Sequence, residues 1–371
     1  MFRDIPGIEP PFTSRHTLRD RIMQEFAIQR TNLKNELALT CKTIALSLDI
    51  WISQNYHPIL GIIGHWLTDD FEYRERLLEF AELQGVHSGE NLAIAVENML
   101  IELSLKDKLI SITGDNASNN EAMASELFFS LSDRPRVKEA MPASLYRGLD
   151  SYIRRLAYVL ILIVKDILRS LGLGTMEQAQ EELPPFTLQD WLRLEQIHTV
   201  LHKFNEFTLF ISKRNPQISL AVPIYYELHE LLEDVREGKG DFAKLDRDIM
   251  AAIIEGMKKY KKYYSIMDDC DTYYTALILD PRVKGEIVLR ELQDGNAGTM
   301  ILETIRTNLH QVYAASNPEH DAAVSQSTPL KHSDVESRML KKLQARDPPL
   351  SDTDKYFDTP PISVADTTSQ K

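Results

Sequence analysis

The run Thr43-Ile44-Ala45-Leu46-Ser47-Leu48-Asp49-Ile50-Trp51 decides the fold, because a short, dense string of apolar and β-branched residues reads as a strand. Two runs of the same kind follow, His57 to Trp66 and Tyr73 to Leu83. The polar breaks around Ser53-Gln54-Asn55 and Thr68-Asp69-Asp70 are turn material, so the three runs are expected to pair as an antiparallel meander. Ser88-Gly89-Glu90-Asn91 then starts a helix, and Leu92, Val96, Met99, Leu100 and Leu103 follow at helical spacing. Leu109-Ile110-Ser111-Ile112-Thr113 is a further short strand ending at Gly114-Asp115, and Ser118-x-x-Glu121 caps another helix. Three strands, a helix, a strand and a helix make a mixed α/β sheet. Asp49 lies inside its first strand and Asp115 at the end of its fourth.

Upstream, Leu18, Ile22, Phe26, Leu33 and Leu37 recur at helical spacing behind Thr17-x-x-Asp20, read as a capping box, and predict a helix to about Leu39. Downstream of Thr187 the period is again helical. Trp191, Leu194, Ile197, Leu201, Phe204 and Thr208 share one face. Pro223 begins a second helix with Tyr225, Leu228, Leu231 and Leu232, and Ile249, Ile253, Met257, Tyr260 and Tyr264 line a third. Beyond about Ser316, Ser, Thr, Pro and Asp dominate, a composition expected to be disordered. The expected organisation is an N-terminal helical segment over 1–42, a sheet core over 43–175, a helical region over 187–315 and a tail over 316–371.

The bulk numbers agree with an ordinary globular chain. The 371 residues suggest about two domains, and 43% hydrophobic with 26% charged residues excludes collagen, coiled-coil and disulfide miniprotein classes. A net charge of -13 argues against a molecule that binds nucleic acid nonspecifically over its whole surface, so any phosphate contact is local. Cys41 and Cys270 form no CxxC, which excludes a self-contained zinc module and fits a reducing, intracellular compartment. The apolar run Leu156 to Val164 is about half a membrane span, so no membrane partner is expected.

A carboxylate within an apolar strand is costly unless it is paired, hydrogen-bonded or bound to a cation. Two such acids brought together on neighbouring strands repel, and Mg²⁺, which takes oxygen ligands, relieves that repulsion and can activate a water or a 3′-hydroxyl for phosphoryl transfer. The alternative is that Asp49 binds a backbone N–H or a Lys and that Asp115 is a turn residue. Lys258, Lys259, Lys261 and Lys262 interleave with Tyr260, Tyr263 and Tyr264, a combination that can bind phosphates and stack on bases, or else form a solvated helix face. His57, His65 and His87 fall on separate segments without ligand spacing and are assigned no catalytic role.

The ordered blocks Ser47-Leu48-Asp49-Ile50-Trp51-Ile52-Ser53, Leu60-Gly61, His65-Trp66, Gly85-Val86-His87-Ser88-Gly89-Glu90-Asn91-Leu92 and Asp115-Asn116-Ala117-Ser118-Asn119-Asn120 resemble the catalytic core of hAT-superfamily DNA transposases. Ala221 to Leu228, Tyr260 to Tyr264 and Ala276-Leu277-Ile278-Leu279-Asp280-Pro281-Arg282 are similar to that family's helical insertion and its return. The resemblance implies an RNase H-like fold interrupted by an all-helical insertion, with Asp49 and Asp115 as the first two acids and Mg²⁺ ligands of a DDE-type triad. It also implies DNA as partner and a nuclear location; Trp191, by default a core residue, matches a Trp that can assist DNA hairpin handling in the family, and Lys258, Lys259, Lys261 and Lys262 are the candidate DNA contacts read from the residues themselves. Arg155 and Tyr158 stand where the family carries a Cys-x-x-His, and no matching third Glu, double-Trp dimerisation block or N-terminal zinc finger is present. The expectation is therefore a catalytically incomplete transposase-like chain that binds DNA weakly, with a domesticated, noncatalytic DNA- or protein-binding module as the alternative.

Overall fold

The computed structural model describes residues 14–83, 88–115, 118–132, 145–172, 187–212, 218–292, 296–316 and 352–362. Contacts divide the chain into two units between Ile153 and Arg154. In the first unit the meander is β1 (Ile44–Ile52), β2 (Pro58–Leu67) and β3 (Tyr73–Glu82); α2 (Gly89–Glu102) leads to β4 (Leu109–Gly114), α3 (Ser118–Ser132) follows, and β5 (Tyr152–Arg154) completes the sheet. The strand order is β3-β2-β1-β4-β5. β1 is antiparallel to β2 and parallel to β4, which makes the sheet mixed, as expected.

Strand alternation sends every second side chain to one face. Ile44, Leu46 and Leu48 of β1, Leu60, Ile62 and Trp66 of β2, and Leu78 of β3 form a single core with Leu92, Val96, Met99 and Leu100 of α2 and Met123, Ala124 and Leu127 of α3. Each fully buried Leu or Ile here contributes roughly 1.5–3 kcal/mol. Gly89 lets the two helices close, since a Cβ there would collide with Ala122. β3 is the edge, and its Arg74, Glu75, Arg76 and Glu79 guard it against pairing with another chain.

The helix before the sheet, α1 (Arg15–Thr40), is capped by Ser14, whose Oγ accepts from Thr17 N–H at 3.2 Å. This corrects the expected cap at Thr17, which lies within the first turn. Only the C-terminal part of α1 reaches the core, through Leu33 and Leu37. Arg30 pins it there, donating to the Leu78 carbonyl and to Glu102 at 2.7 and 2.9 Å.

The second unit is helical: α4 (Leu156–Ser170), α5 (Leu188–Ile211), α6 (Ala221–Glu237), α7 (Arg247–Asp268), α8 (Asp271–Ile278), α9 (Glu286–Glu291), α10 (Ala297–Ser316) and α11 (Asp352–Asp358). α4 belongs here and not with the sheet, so the division precedes the expected boundary at 175. Its buried stripe, Val159, Leu160, Ile163 and Ile167, has α7 as neighbour, and Gly256 of α7 leaves room for Ile163 and Ile167. Residues 352–362 correct part of the disordered tail. Tyr356 Oη donates to Ile278 O at 2.9 Å, Lys284 Nζ donates to Tyr356 O and Thr359 O at 2.5 and 2.6 Å, and Asp354 pairs with Arg306. The rest of the tail, residues 317–351 and 363–371, and the block Gly85-Val86-His87 lie outside the described residues.

Candidate functional site

Along β1, Leu46 and Leu48 turn into the core, which leaves Ser47 and Asp49 on the opposite face. Asp49 is exposed. This corrects the picture of a carboxylate on a buried framework: the buried side chains of β1 turn to one face, and Asp49 stands on the other, exposed face, where desolvation costs little. The parallel pairing of β1 with β4 sets Ser47 opposite Thr113. The pairing ends there: Asp49 lies two residues beyond Ser47 on β1, and Asp115 follows the end of β4 at Gly114.

Asn120 and Tyr152 both hold Asp115. Tyr152 crosses the end of β4 and donates its hydroxyl to the Asp115 backbone carbonyl at 2.6 Å. Gly114 is required at this point because a Cβ would strike the Tyr152 hydroxyl. The side-chain amide of Asn120, from the first turn of α3, donates to Asp115 Oδ1. Asn120 is only 2% exposed, and its Oδ1 is buried without a hydrogen-bond partner.

Two carboxylates on neighbouring strands, with an unsatisfied amide oxygen on the residue that holds one of them, suit a hard cation. Carboxylate and amide oxygens are the donor types that Mg²⁺ takes, and two carboxylates would leave most of its ligands to water. Among the described residues no group of three or more His, Cys, Asp or Glu gathers, so the fit does not extend to the donors a two-metal centre needs. Glu121 starts α3 but joins no such group.

The other candidates belong to the helical unit. Tyr260 and Tyr263 are core residues at 2% and 7% exposure, which corrects their role as stacking aromatics. Tyr225, Tyr260 and Tyr264 pack ring on ring with centroids 5.8 to 6.1 Å apart, and Tyr260 Oη donates to Tyr225 O at 2.9 Å. Burial pushes these phenols above their ordinary range. Lys258 is paired with Glu255 at 2.7 Å and Lys259 with Asp166 at 3.1 Å, while Lys262 lies 5.8 Å from the Tyr263 ring centroid. Lys261 is exposed. Trp191 is 61% exposed, not packed in the core, because the buried stripe of α5 starts nearly two turns later at Ile197.

Sequence reasoning missed one constellation. His65 Nε2 lies 2.9 Å from Ser47 Oγ, His65 Nδ1 lies 2.7 Å from Tyr73 Oη, and Tyr73 donates to Glu75 at 3.0 Å. The signal is the sheet register: Ser47 pairs with Ile63 and Ala45 with His65, so Ser47 and His65 are diagonal neighbours on one face. His57 is exposed and pairs with Glu82 at 2.6 Å.

Residues 47–141 match the model of the ZBED1 RNase-like domain, a span that contains both acids. An AC transposase of Zea mays is 25% identical over 168 residues, which are 45% of this chain and 20% of that protein. The chain is related to the hAT-family transposases. Its fold is accordingly the RNase-like α/β class with an all-helical insertion. Zinc finger BED domain-containing protein RICESLEEPER 2 of Oryza sativa subsp. japonica is 21% identical over 170 residues, 45% of this chain and 23% of that protein. The transcriptional regulator tpeD of Talaromyces stipitatus is 30% identical over 115 residues, 31% of this chain and 14% of that protein. The chain thus spans about a fifth of the length of these curated relatives, taking the 20% of the maize protein as the measure.

Proposed function

We propose that this hAT-transposase-like chain uses Asp49 and Asp115 to hold one Mg²⁺ and, through it, a DNA phosphate, in a site derived from cut-and-paste transposition but incomplete for strand transfer. What supports this reading is the parallel pairing of β1 with β4, whose last pair, Ser47 with Thr113, lies two residues before each acid. Bound there, Mg²⁺ would neutralise phosphate charge and acidify a coordinated water. The chain's own part is positional: Asp49 and Asp115 supply carboxylate oxygens, Asn120 fixes the rotamer of Asp115, and Tyr152 anchors its backbone. The family relationship supports DNA as the partner and the nucleus as the location. A binding module without chemistry is the second reading, favoured by the match to tpeD, a transcriptional regulator.

Mn²⁺ titration followed by electron paramagnetic resonance tests the cation site. One bound ion per chain is expected, lost in Asp49→Asn and in Asp115→Asn. Unchanged binding in both variants would defeat the proposal. Incubation with supercoiled DNA and Mg²⁺ tests completeness: equal background nicking by wild type and Asp49→Asn is expected, whereas strand transfer abolished by Asp115→Asn would show a complete enzyme.

A further inference from the structure

The geometry points to Ser47 as an activated nucleophile on the face of the sheet opposite the core, with His65 as its base, able to capture an activated acyl or phosphonyl ester. The direction of each hydrogen bond follows from donor arithmetic. Tyr73 gives its hydroxyl proton to Glu75 Oε2, so Tyr73 Oη accepts from His65, and Nδ1 must carry the ring proton. Nε2 is then the acceptor, and the Ser47 hydroxyl donates to it at 2.9 Å. The chain Ser47 to His65 to Tyr73 to Glu75 therefore runs one way, from hydroxyl to carboxylate. It has the parts of a serine nucleophile: a hydroxyl on a base, and a base oriented by a further group.

Glu75 also completes the charge logic. Its Oε2 lies 3.6 Å from His65 Nδ1, close enough to stabilise the imidazolium that forms when Nε2 takes the Ser47 proton. Burial lowers the His65 pKa, against a smaller opposing pull from Glu75, which favours the neutral, accepting ring at physiological pH. Tyr73 and Glu75 act through His65 and are positioning residues. The site is reachable from solvent, since the His65 and Glu75 side chains are 23% and 56% exposed.

In the step itself, Ser47 Oγ forms a bond to the electrophilic carbon or phosphorus and the bond to the leaving group breaks. The hydroxyl proton passes to His65 Nε2 and then to the departing aryloxide or fluoride, so no oxidant or other reactant is needed. Around Ser47, β1 is paired with β2 on one side and with β4 on the other. Its ladder N–H groups are committed there, and no pair of backbone donors is offered to an acyl oxyanion. Capture without rapid release is the expected behaviour.

The test is labelling of the full chain with an alkyl fluorophosphonate in EDTA, followed by peptide mass spectrometry. Working without Mg²⁺ separates this result from the fate of the cation site. One adduct on Ser47 is expected, absent in Ser47→Ala and formed about a hundredfold more slowly in His65→Gln, the lower end of what general-base assistance supplies. Tyr73→Phe, at an exposed edge position, breaks the relay with little risk to folding and should also slow labelling, an effect a purely structural tyrosine would not have. p-Nitrophenyl acetate should release one equivalent of nitrophenolate per chain and then stall. Labelling elsewhere, or at equal rates in wild type, His65→Gln and Tyr73→Phe, would overturn the inference.

Discussion

Asp115 of the sheet unit and Asp280 of the helical unit each follow the end of an element, β4 in one case and α8 in the other, yet they are held in opposite ways. Asp280 is 7% exposed and accepts from Arg282 Nε at 2.8 Å, from Arg282 Nη2 at 2.6 Å, from the Arg282 backbone N–H at 3.0 Å and from Ser219 Oγ at 2.8 Å. Its charge is met by the chain's own guanidinium. Asp115 is steered by an amide and by a tyrosine hydroxyl on its backbone, neither of which brings a positive charge. A carboxylate clasped by its own arginine serves stability, whereas the hydrogen bonds from Asn120 and Tyr152 orient Asp115 and its backbone.

The largest expected effect breaks the clasp. Asp280→Ala removes one partner of a nearly buried ion pair and leaves Ser219 without its acceptor; because Arg282 is itself about a third exposed, a cost of about 2 kcal/mol is expected, below the full penalty for a sealed pair. Hydrogen exchange read peptide by peptide should show the loss in the helical unit and not in the sheet. The pH dependence has a definite sign. The hydrogen bond from Arg282 holds the Asp280 carboxyl at about 2, below its unfolded value, so its stabilisation is fully present above pH about 4 and is lost as pH falls toward 2. An acid titration of Asp280→Asn should lack that component; an unchanged acid limb would show the clasp to be weak.

On the sheet side, Gly114→Ala should drive Tyr152 off the end of β4, with a cost of roughly 1–3 kcal/mol for overpacking and a weakened cation site. Tyr152→Phe is the milder version. It removes one hydrogen bond, about 1 kcal/mol, while the ring remains in the core. If both variants bind Mn²⁺ as wild type does, Asp115 is positioned without Tyr152, and the contrast with Asp280 narrows to Asn120 alone.

Much of the sheet was legible because its signals are local. The turn residues near Ser53 and Thr68, the Ser88 start of α2 and the Gly114-Asp115 stop of β4 all act within a few residues. The block Leu279-Asp280-Pro281-Arg282 was legible as a family signature, but its physical content, an acid folded back on its own arginine, needed coordinates. The face on which Asp49 stands was missed because an apolar run was weighed as a whole and not by alternate positions. Register is nonlocal in the same way, which is why the Ser47 to His65 contact could not be read. The structure also closes a capping box at Thr187 and Asp190, whose two hydrogen bonds act within four residues.

The smallest expected effect concerns the lysines of α7 and asks whether the helical unit has any phosphate-binding charge to set against the acids of the sheet. Four lysines at Lys258, Lys259, Lys261 and Lys262 would give a log-log salt slope of about -3.6 for duplex DNA if all were engaged. Lys258 and Lys259 are held by Glu255 and Asp166, and the contact to phosphate would have to displace those carboxylates. With Lys261 and Lys262 alone the slope falls to about -1.8. Filter binding from low to physiological salt should therefore give the shallower slope, and Lys261→Ala with Lys262→Ala should flatten it, while Lys258→Ala changes it little. The core positions of Tyr260 and Tyr263 make the same point from another direction, since buried rings cannot also stack on bases. A slope near -3.6, or one that Lys258→Ala reduces as much as Lys261→Ala does, would mean that the ion pairs open on DNA and that this helix is a real phosphate surface.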